Sequence, residues 1–316
     1  MATVKREYQY AADTSGYVLA LKNSHMDTAT KEKMSKVGHI FQLIFTYAFL
    51  LIAGLIVIFP FYWMIITSLK SGAEIQRVQQ TFFPEVIKWS NYADAWSRLD
   101  FGTLMKNTLI VGIISTLGTI ITTILAAYAF ARLNFKGRDL MFMFLLGSMM
   151  IPGEMMVISN FISVSRLGWL SSNFGKFTAM IVPFWVSIFY IYLLRQNFKQ
   201  IPNELYLAAK VDGKSDWEFL WKVMVPLAMP TLTTIFILKL MGAWNSYVWP
   251  NLIAGGDKSV YLITNGLRST FQTASNPDDF GIQMAATVVV TVPLLLLFVF
   301  FRKYIMRGVG RAGIKG

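Results

Sequence analysis

The sequence contains no cysteine, which excludes disulfides, thiol nucleophiles and thiolate metal sites. Its only two histidines, His25 and His39, lie in a polar N-terminal stretch, so no histidine-based metal or acid–base site exists in the apolar remainder. Charge is scarce too: 15% of the 316 residues are Asp, Glu, Lys or Arg, against about a quarter in an average soluble domain. The scarcity is local rather than uniform. Residues 40–69 and 107–131 carry no charge at all, and about 20 apolar residues suffice to cross the hydrocarbon core. Four further runs cover 140–158 (interrupted by Glu154), 177–194, 223–249 (interrupted by Lys239) and 280–301. Together they predict an all-α membrane protein with six transmembrane helices, over about 40–69, 106–131, 140–160, 177–196, 224–248 and 281–302.

The net charge of +12 matters less than its placement. Six Lys and Arg lie in residues 1–39, three in 132–138, five in 195–222 and five in 302–315, whereas the intervening loops hold five, two and two. By the positive-inside rule the richer group is cytoplasmic, so both termini are expected inside. Glu74, Glu85, Asp94 and Asp100 make the long first outer loop nearly neutral, and a basic nucleic-acid surface is not expected. The first apolar run follows 39 polar residues and is too long for a signal-peptide core, so it reads as an uncleaved helix behind a cytoplasmic tail, 1–39.

Local signals add detail. The first span carries Pro60 and an aromatic group, Phe61, Tyr62 and Trp63, suited to the outer interface. Trp89, Tyr92 and Trp96 are spaced for a short amphipathic helix on the membrane surface. Pro183 and Pro293 fall within spans four and six, where neighbouring helices or water must satisfy the freed carbonyls.

The most informative segment is the basic loop 199–226 between spans four and five. Pro202, Asn203 and Glu204 give helix-start signals, and Gly213 suits the left-handed conformation that ends a helix. Ser215 followed by Glu218 forms a capping box opening a second helix. The loop therefore reads as a helix–turn–helix, with Ala208 and Ala209 small enough for close approach to a partner. Gly213-Lys214-Ser215 superficially fits a phosphate-binding loop, but a preceding strand and a glycine-rich turn are missing.

This loop resembles the EAA loop of ATP-binding-cassette (ABC) importer permeases, whose pattern is Glu-Ala-Ala, three residues, Gly, nine residues, Ile, one residue, Leu-Pro. Here Ala208 and Ala209 precede Gly213 by that spacing, and nine residues later come Val223, Met224, Val225 and Pro226. Leu207 stands where the family keeps Glu, and Glu204, one turn earlier, is the nearest carboxylate that can substitute. Pro60–Glu74, Ala126–Arg132, Met150–Glu154, Gly242–Pro250 and Arg307–Gly316 resemble the second permease of maltose-type carbohydrate uptake systems, so that the likeness covers roughly 40–316. The resemblance implies a type I ABC importer permease fold in a bacterial cytoplasmic (inner) membrane. It also implies partners: a second homologous permease, two ATPase subunits that bind ATP and Mg, an extracytoplasmic solute-binding protein and a saccharide. No cofactor is implied for this chain, which has no ATPase site of its own. Glu204, Leu207, Ala208, Ala209, Asp212 and Gly213 take the ATPase-coupling role, and Gly255, Gly256, Asp257 and Lys258 a binding-protein contact.

Sugars are held by aromatic stacking and by hydrogen bonds from amides and hydroxyls. Trp244, Asn245, Tyr247, Trp249 and Asn251 offer both at the end of span five, although Trp and Tyr there also suit an interfacial belt. Glu154 and Lys239 are ionisable groups within spans, either mutual partners or separate, with Lys239 facing the pore; in the latter case an acidic saccharide becomes attractive. Three rivals stand beside the sugar importer. An ion-gradient-driven secondary transporter predicts inverted repeats, and none is found. A membrane enzyme needs a convergent catalytic set. An ABC permease for a non-sugar solute is disfavoured by the span-one and span-five signatures.

Overall fold

The computed structural model describes residues 40–272 and 276–310, with side chains to Lys303. The tail 1–39, its two histidines, and the side chains of the C-terminal signature 307–316 lie outside the described residues. The chain divides into two units, residues 1–63 and 64–316. Within the first, the helix that begins α1 (Ile40–Ser68) is apolar over its length, and Phe59 stacks on Trp63 with ring centroids 5.9 Å apart.

The second unit is built around α4 (Phe101–Arg132), opened by Asp100, whose carboxylate accepts from the Thr103 N–H at 3.1 Å. Before it come α2 (Gly72–Ile75) and α3 (Ser90–Arg98), and after it α5 (Arg138–Ser148), α6 (Val157–Arg166), α7 (Asn173–Ile181) and α8 (Ile188–Gln200). Then follow α9 (Asn203–Val211), α10 (Asp216–Phe219), α11 (Val225–Leu227), α12 (Met229–Trp244), α13 (Val248–Ala254), α14 (Ile263–Phe271) and α15 (Pro277–Gly310). Among the described residues no strand occurs. α3 is the short amphipathic helix expected from its tryptophans; Trp89 and Trp96 are exposed, while the Tyr92 hydroxyl bonds Ser68 Oγ at 2.7 Å.

Three helices are long and apolar enough to cross a membrane unbroken, and three bent pairs raise the number to as many as six. Bends interrupt the third, fourth and fifth of the expected spans. The third apolar run turns by 86° between α5 and the 3-10 turn Gly153–Met156 that leads into α6. Pro152 cannot donate to a helical ladder, and Gly153 adds no side chain to hold one together. The fourth bends by 45° between α7 with its 3-10 extension Val182–Phe184 and α8, next to Pro183. The fifth bends by 76° at Ala228, between Pro226 and Pro230. Pro293, by contrast, sits inside a continuous α15.

The break at Pro183 leaves the Phe184 and Trp185 carbonyls without helical partners, and other helices supply them. Thr119 Oγ1 and Lys239 Nζ both donate to Phe184 O at 3.0 Å, and Thr122 Oγ1 donates to Trp185 O at 2.6 Å. α4 presents a face of small and hydroxyl residues (Thr108, Gly112, Ser115, Thr116, Thr119, Thr123, Ala127), all buried. Such a face lets neighbouring backbones approach closely in hydrocarbon, where burying apolar surface gives no net drive.

Gly118 lies against Trp185: a Cβ there would sit 2.2 Å from the indole Nε1. Gly118→Ala is expected to destabilise the protein by about 1–3 kcal/mol, as overpacking does. Gly242→Ala, with nothing within 4 Å of the new Cβ, should leave stability unchanged or raise it. Thermal unfolding in detergent, followed by Trp fluorescence, checks the pair.

Candidate functional site

The loop between α8 and α12 has the local structure its residues dictate. Pro202, extended at ψ 142°, sets the entry to α9. At its end Lys214 N donates to Ala209 O at 2.9 Å and Gly213 N to Lys210 O at 3.0 Å, with Gly213 at φ +71°. This is a Schellman closure, which a β-carbon would strain. Ser215 Oγ accepts from Glu218 N at 3.2 Å, and the Glu218 carboxylate accepts from Ser215 N at 3.4 Å, so the capping box is formed. Its hydroxyl is committed to that cap, which disposes of the phosphate-loop likeness. Leu220–Met224 then continues as a π-helical turn, a widened geometry that recurs at functional sites.

One face of this hairpin is anchored. Ala209, Phe219, Leu220 and Met224 are buried with Ile124 and Tyr128 of α4 and Leu194 and Phe198 of α8. The other face is open: Glu204, Ala208, Asp212 and Gly213 are exposed, Leu207 is 56% exposed and Val211 88%. Leu207 thus lies exposed beside Ala208 and Val211, flanked by the exposed Glu204 and Lys210.

Asp216 holds the hairpin to α4. Its Oδ1 accepts from Tyr206 Oη at 2.9 Å and Tyr128 Oη at 3.2 Å, and pairs with Lys210 Nζ at 3.1 Å. The hydrogen bond to this carboxylate raises the Lys210 ammonium above the usual lysine value, and burial raises the Tyr206 phenol. Arg132, the last residue of α4, donates to Phe198 O at 3.0 Å, to Ile201 O and to Asn203 Oδ1 at 3.3 Å. Asp216 gave no signal of its own in the sequence beyond lying between Ser215 and Glu218 of the capping box. Tyr128 and Arg132 carried a signal only as members of a family signature.

The remaining candidates separate. Glu154 is exposed in the 3-10 turn at the 86° bend. Lys239 turns to the Phe184 carbonyl and lies 5.7 Å from that ring. No Glu154–Lys239 ion pair forms among the described residues, because their helices present them to different surroundings. Trp244 (4% exposed) and Trp249 (6%) are buried in the main core rather than exposed in a belt. Trp249 Nε1 donates to Ala179 O at 3.0 Å, which gives its one polar atom a partner inside. Asn245 is exposed, and Tyr247 is half-buried under the Arg268 guanidinium at 4.7 Å. A cavity of about 250 Å³ opens beside these residues, lined by Ser115, Phe184, Tyr190, Lys239, Ser246 and Trp249 among others.

The segment 255–280 that follows α13 is mostly helical, and Val260, Leu262 and Ile263 are fully buried. Gly255 and Gly256 turn the chain with φ +57° and +91°. Asp257 accepts from Lys176 Nζ at 2.7 Å and from Ser259 N and Oγ at 3.0 and 2.7 Å, and Lys258 stays exposed. Hydrogen bonds from Lys176 and Ser259 hold the Asp257 carboxyl at about 2.

Two outcomes follow from this geometry. Ser215→Ala should cost about 1 kcal/mol of local stability, roughly a fivefold rise in the open population, read as faster tryptic cleavage at Lys214. For Asp257 the folded value lies below the ordinary one of about 3.9. Its stabilisation is therefore complete above that pH and is lost as pH falls toward the folded value of about 2. Asp257→Asn should accordingly differ from the parent in acid unfolding near neutrality and converge with it across that window.

Residues 118–311 match the family described as binding-protein-dependent transport system inner membrane component. The chain is 27% identical over 271 residues to the sn-glycerol-3-phosphate transport system permease protein UgpE of Yersinia pestis bv. Antiqua (strain Antiqua), covering 84% of this chain and 95% of that one. It is 28% identical over 270 residues to the diacetylchitobiose uptake system permease protein NgcG of Streptomyces coelicolor, with 84% and 87% covered. It is 28% identical over 271 residues to the arabinooligosaccharides transport system permease protein AraQ of Bacillus subtilis, with 85% and 94% covered. Among solved structures, a chain of a bacterial ABC transporter involved in import of the acidic polysaccharide alginate superposes with a TM-score of 0.73 at 25% identity, covering 84% of this chain and 97% of that one. A chain of the bacterial alginate transporter in complex with its alginate pentasaccharide-bound periplasmic protein shares the fold, with a TM-score of 0.58 at 17% identity and 80% and 91% covered. The family match spans the second half of α4, the anchored hairpin and every bent helix after it, and the chain belongs to the binding-protein-dependent transport system inner membrane components, the permease subunits of ABC importers, whose ATP is hydrolysed by partner subunits.

Proposed function

We propose that this chain pairs with a second, homologous permease to enclose the path of an oligosaccharide importer in a bacterial inner membrane. The observation that carries the reading is the hairpin α9–α10: an exposed apolar face at Leu207 and Val211 on an element bound through Asp216 and Arg132 to the central α4. Two ATPase subunits that bind ATP and Mg seat Glu204, Leu207, Ala208, Asp212 and Gly213, and their closure moves α9. Ala209 takes part from below, packed on the bundle. An apolar Leu207 in place of a glutamate predicts a matching apolar cleft on the ATPase.

The charge distribution favours six spans, each bent pair counting as one, with both termini and the hairpin cytoplasmic. Gly255, Gly256, Asp257 and Lys258 then lie outside, where a solute-binding protein delivers cargo. The relatives named above carry glycerol 3-phosphate, diacetylchitobiose, arabinooligosaccharides and alginate in their descriptions. Polyhydroxylated cargo is their common chemistry, and a saccharide is the reading adopted here.

Because the chain has no cysteine, a single one is a unique handle. Ala208→Cys in the reconstituted importer is expected to crosslink to the ATPase subunit, whereas Ser163→Cys on α6 should not. Uptake into proteoliposomes should require ATP inside. Failure of the Ala208 crosslink in an importer that transports, or uptake driven by an ion gradient without ATP, overturns the reading.

A further inference from the structure

We propose that the cavity between α4, α8, α12 and α13 binds an anionic group of the cargo, a carboxylate or a phosphate, with Lys239 as its cation. The inference rests on the importer reading and names the chemistry of its site. Lys239 lies in a helix that reads as part of a span, where a charge without a counter-charge is costly. No Asp or Glu lines the cavity, and Lys239 has no ion pair among the described residues. Its one bond is to Phe184 O at 3.0 Å, a carbonyl that Thr119 Oγ1 also satisfies at 3.0 Å. The ammonium can therefore swing to an anion without leaving that carbonyl orphaned, the step that would otherwise make recruitment expensive.

The rest of the lining suits the uncharged part of a sugar. Ser115, Tyr190 and Ser246 bring hydroxyls, and Trp249 brings an indole fixed by its bond to Ala179 O and by edge contact with Phe184, centroids 5.7 Å apart. At about 250 Å³ the space is slightly smaller than ordinary drug-sized pockets, which start near about 300 Å³, and takes one sugar residue rather than a whole oligomer. A plain helix-capping lysine would explain the bond to Phe184 but not an open cavity that brings the hydroxyls of Ser115, Tyr190 and Ser246 around the same ammonium.

The test uses the importer complex in lipid nanodiscs with its lysines 13C-dimethylated, a modification that keeps the charge. The Lys239 methyl resonance is identified as the one missing from Lys239→Met or from Lys239→Arg, whichever assembles. Sodium glucuronate, glycerol 3-phosphate and glucose are titrated at constant ionic strength. The expected result is a saturable shift of that resonance with a Kd at least about tenfold lower for one or both anions than for glucose, the scale of a charge-assisted hydrogen bond. A response to glucuronate alone identifies a uronate group, and to glycerol 3-phosphate alone a phosphate ester. No saturable shift with either anion overturns the proposal, and a Lys239 already paired with an acid of the second permease gives that same result. An equal response to glucose overturns it too. ATP-driven uptake by the unmethylated wild-type importer in proteoliposomes is scored separately, so an anion failure with uptake intact sinks only this site, and absent uptake sinks the importer reading.

Discussion

A backbone oxygen in hydrocarbon must find its donor inside the protein, and the arrangement of this bundle follows from that constraint. The bend beside Pro183 frees two carbonyls, each costing about 1–3 kcal/mol or more if left unmade. Thr119 and Thr122 of α4 and Lys239 of α12 answer both. The bend is thus affordable only where α4 and α12 pass beside it. The small-residue face of α4, with Gly118 under Trp185, is what brings those hydroxyls within reach.

The opposite end of α4 obeys the same logic at the hairpin. Arg132 takes up the closing carbonyls of α8, and Tyr128 reaches Asp216 beneath α10. A displacement of α9 must then either carry α4 with it or break the bonds that converge on Asp216. Directly after the hairpin, the π turn Leu220–Met224 and the 76° bend at Ala228 interrupt the helical ladder. The loop is thus bound to α4 by side-chain bonds and joined to α12 through an interrupted ladder.

Much of this was legible in the residue order, and for identifiable reasons. Apolar run length located the three unbroken helices and the three bent pairs, because runs of about twenty residues with at most one charge have few other uses. The hairpin was legible almost to the residue, since Pro202, Gly213 and the Ser215–Glu218 pair act within four positions of themselves. The bends were not. Pro152, Pro183 and Pro293 look alike in sequence, yet two lie at breaks and one inside a continuous helix, and at Pro183 the donors that answer the break come from residues far along the chain. Trp244 and Trp249 were misleading for a related reason: an indole suits an interface and a core equally, and only Ala179 O decides for Trp249. Gly255 and Gly256 advertise a turn, but the helix α14 that follows was not legible, because its buried face depends on long-range packing.

Lys239 connects the bend to the cavity. The ammonium that bonds the end of one half-span also lines the space beside Trp249. An anion that draws Nζ away leaves Phe184 O to Thr119 alone, so cavity occupancy and stiffness of the bend are linked, and the link is reciprocal. The two helices that hold this carbonyl are also the two attached to the hairpin: α4 through Tyr128 and Asp216, α12 through the bend at Ala228. The cavity beside Lys239 and the hairpin therefore share two helices. Coupling between them requires only that α4 and α12 shift as packed bodies, without a relay of side chains along the way.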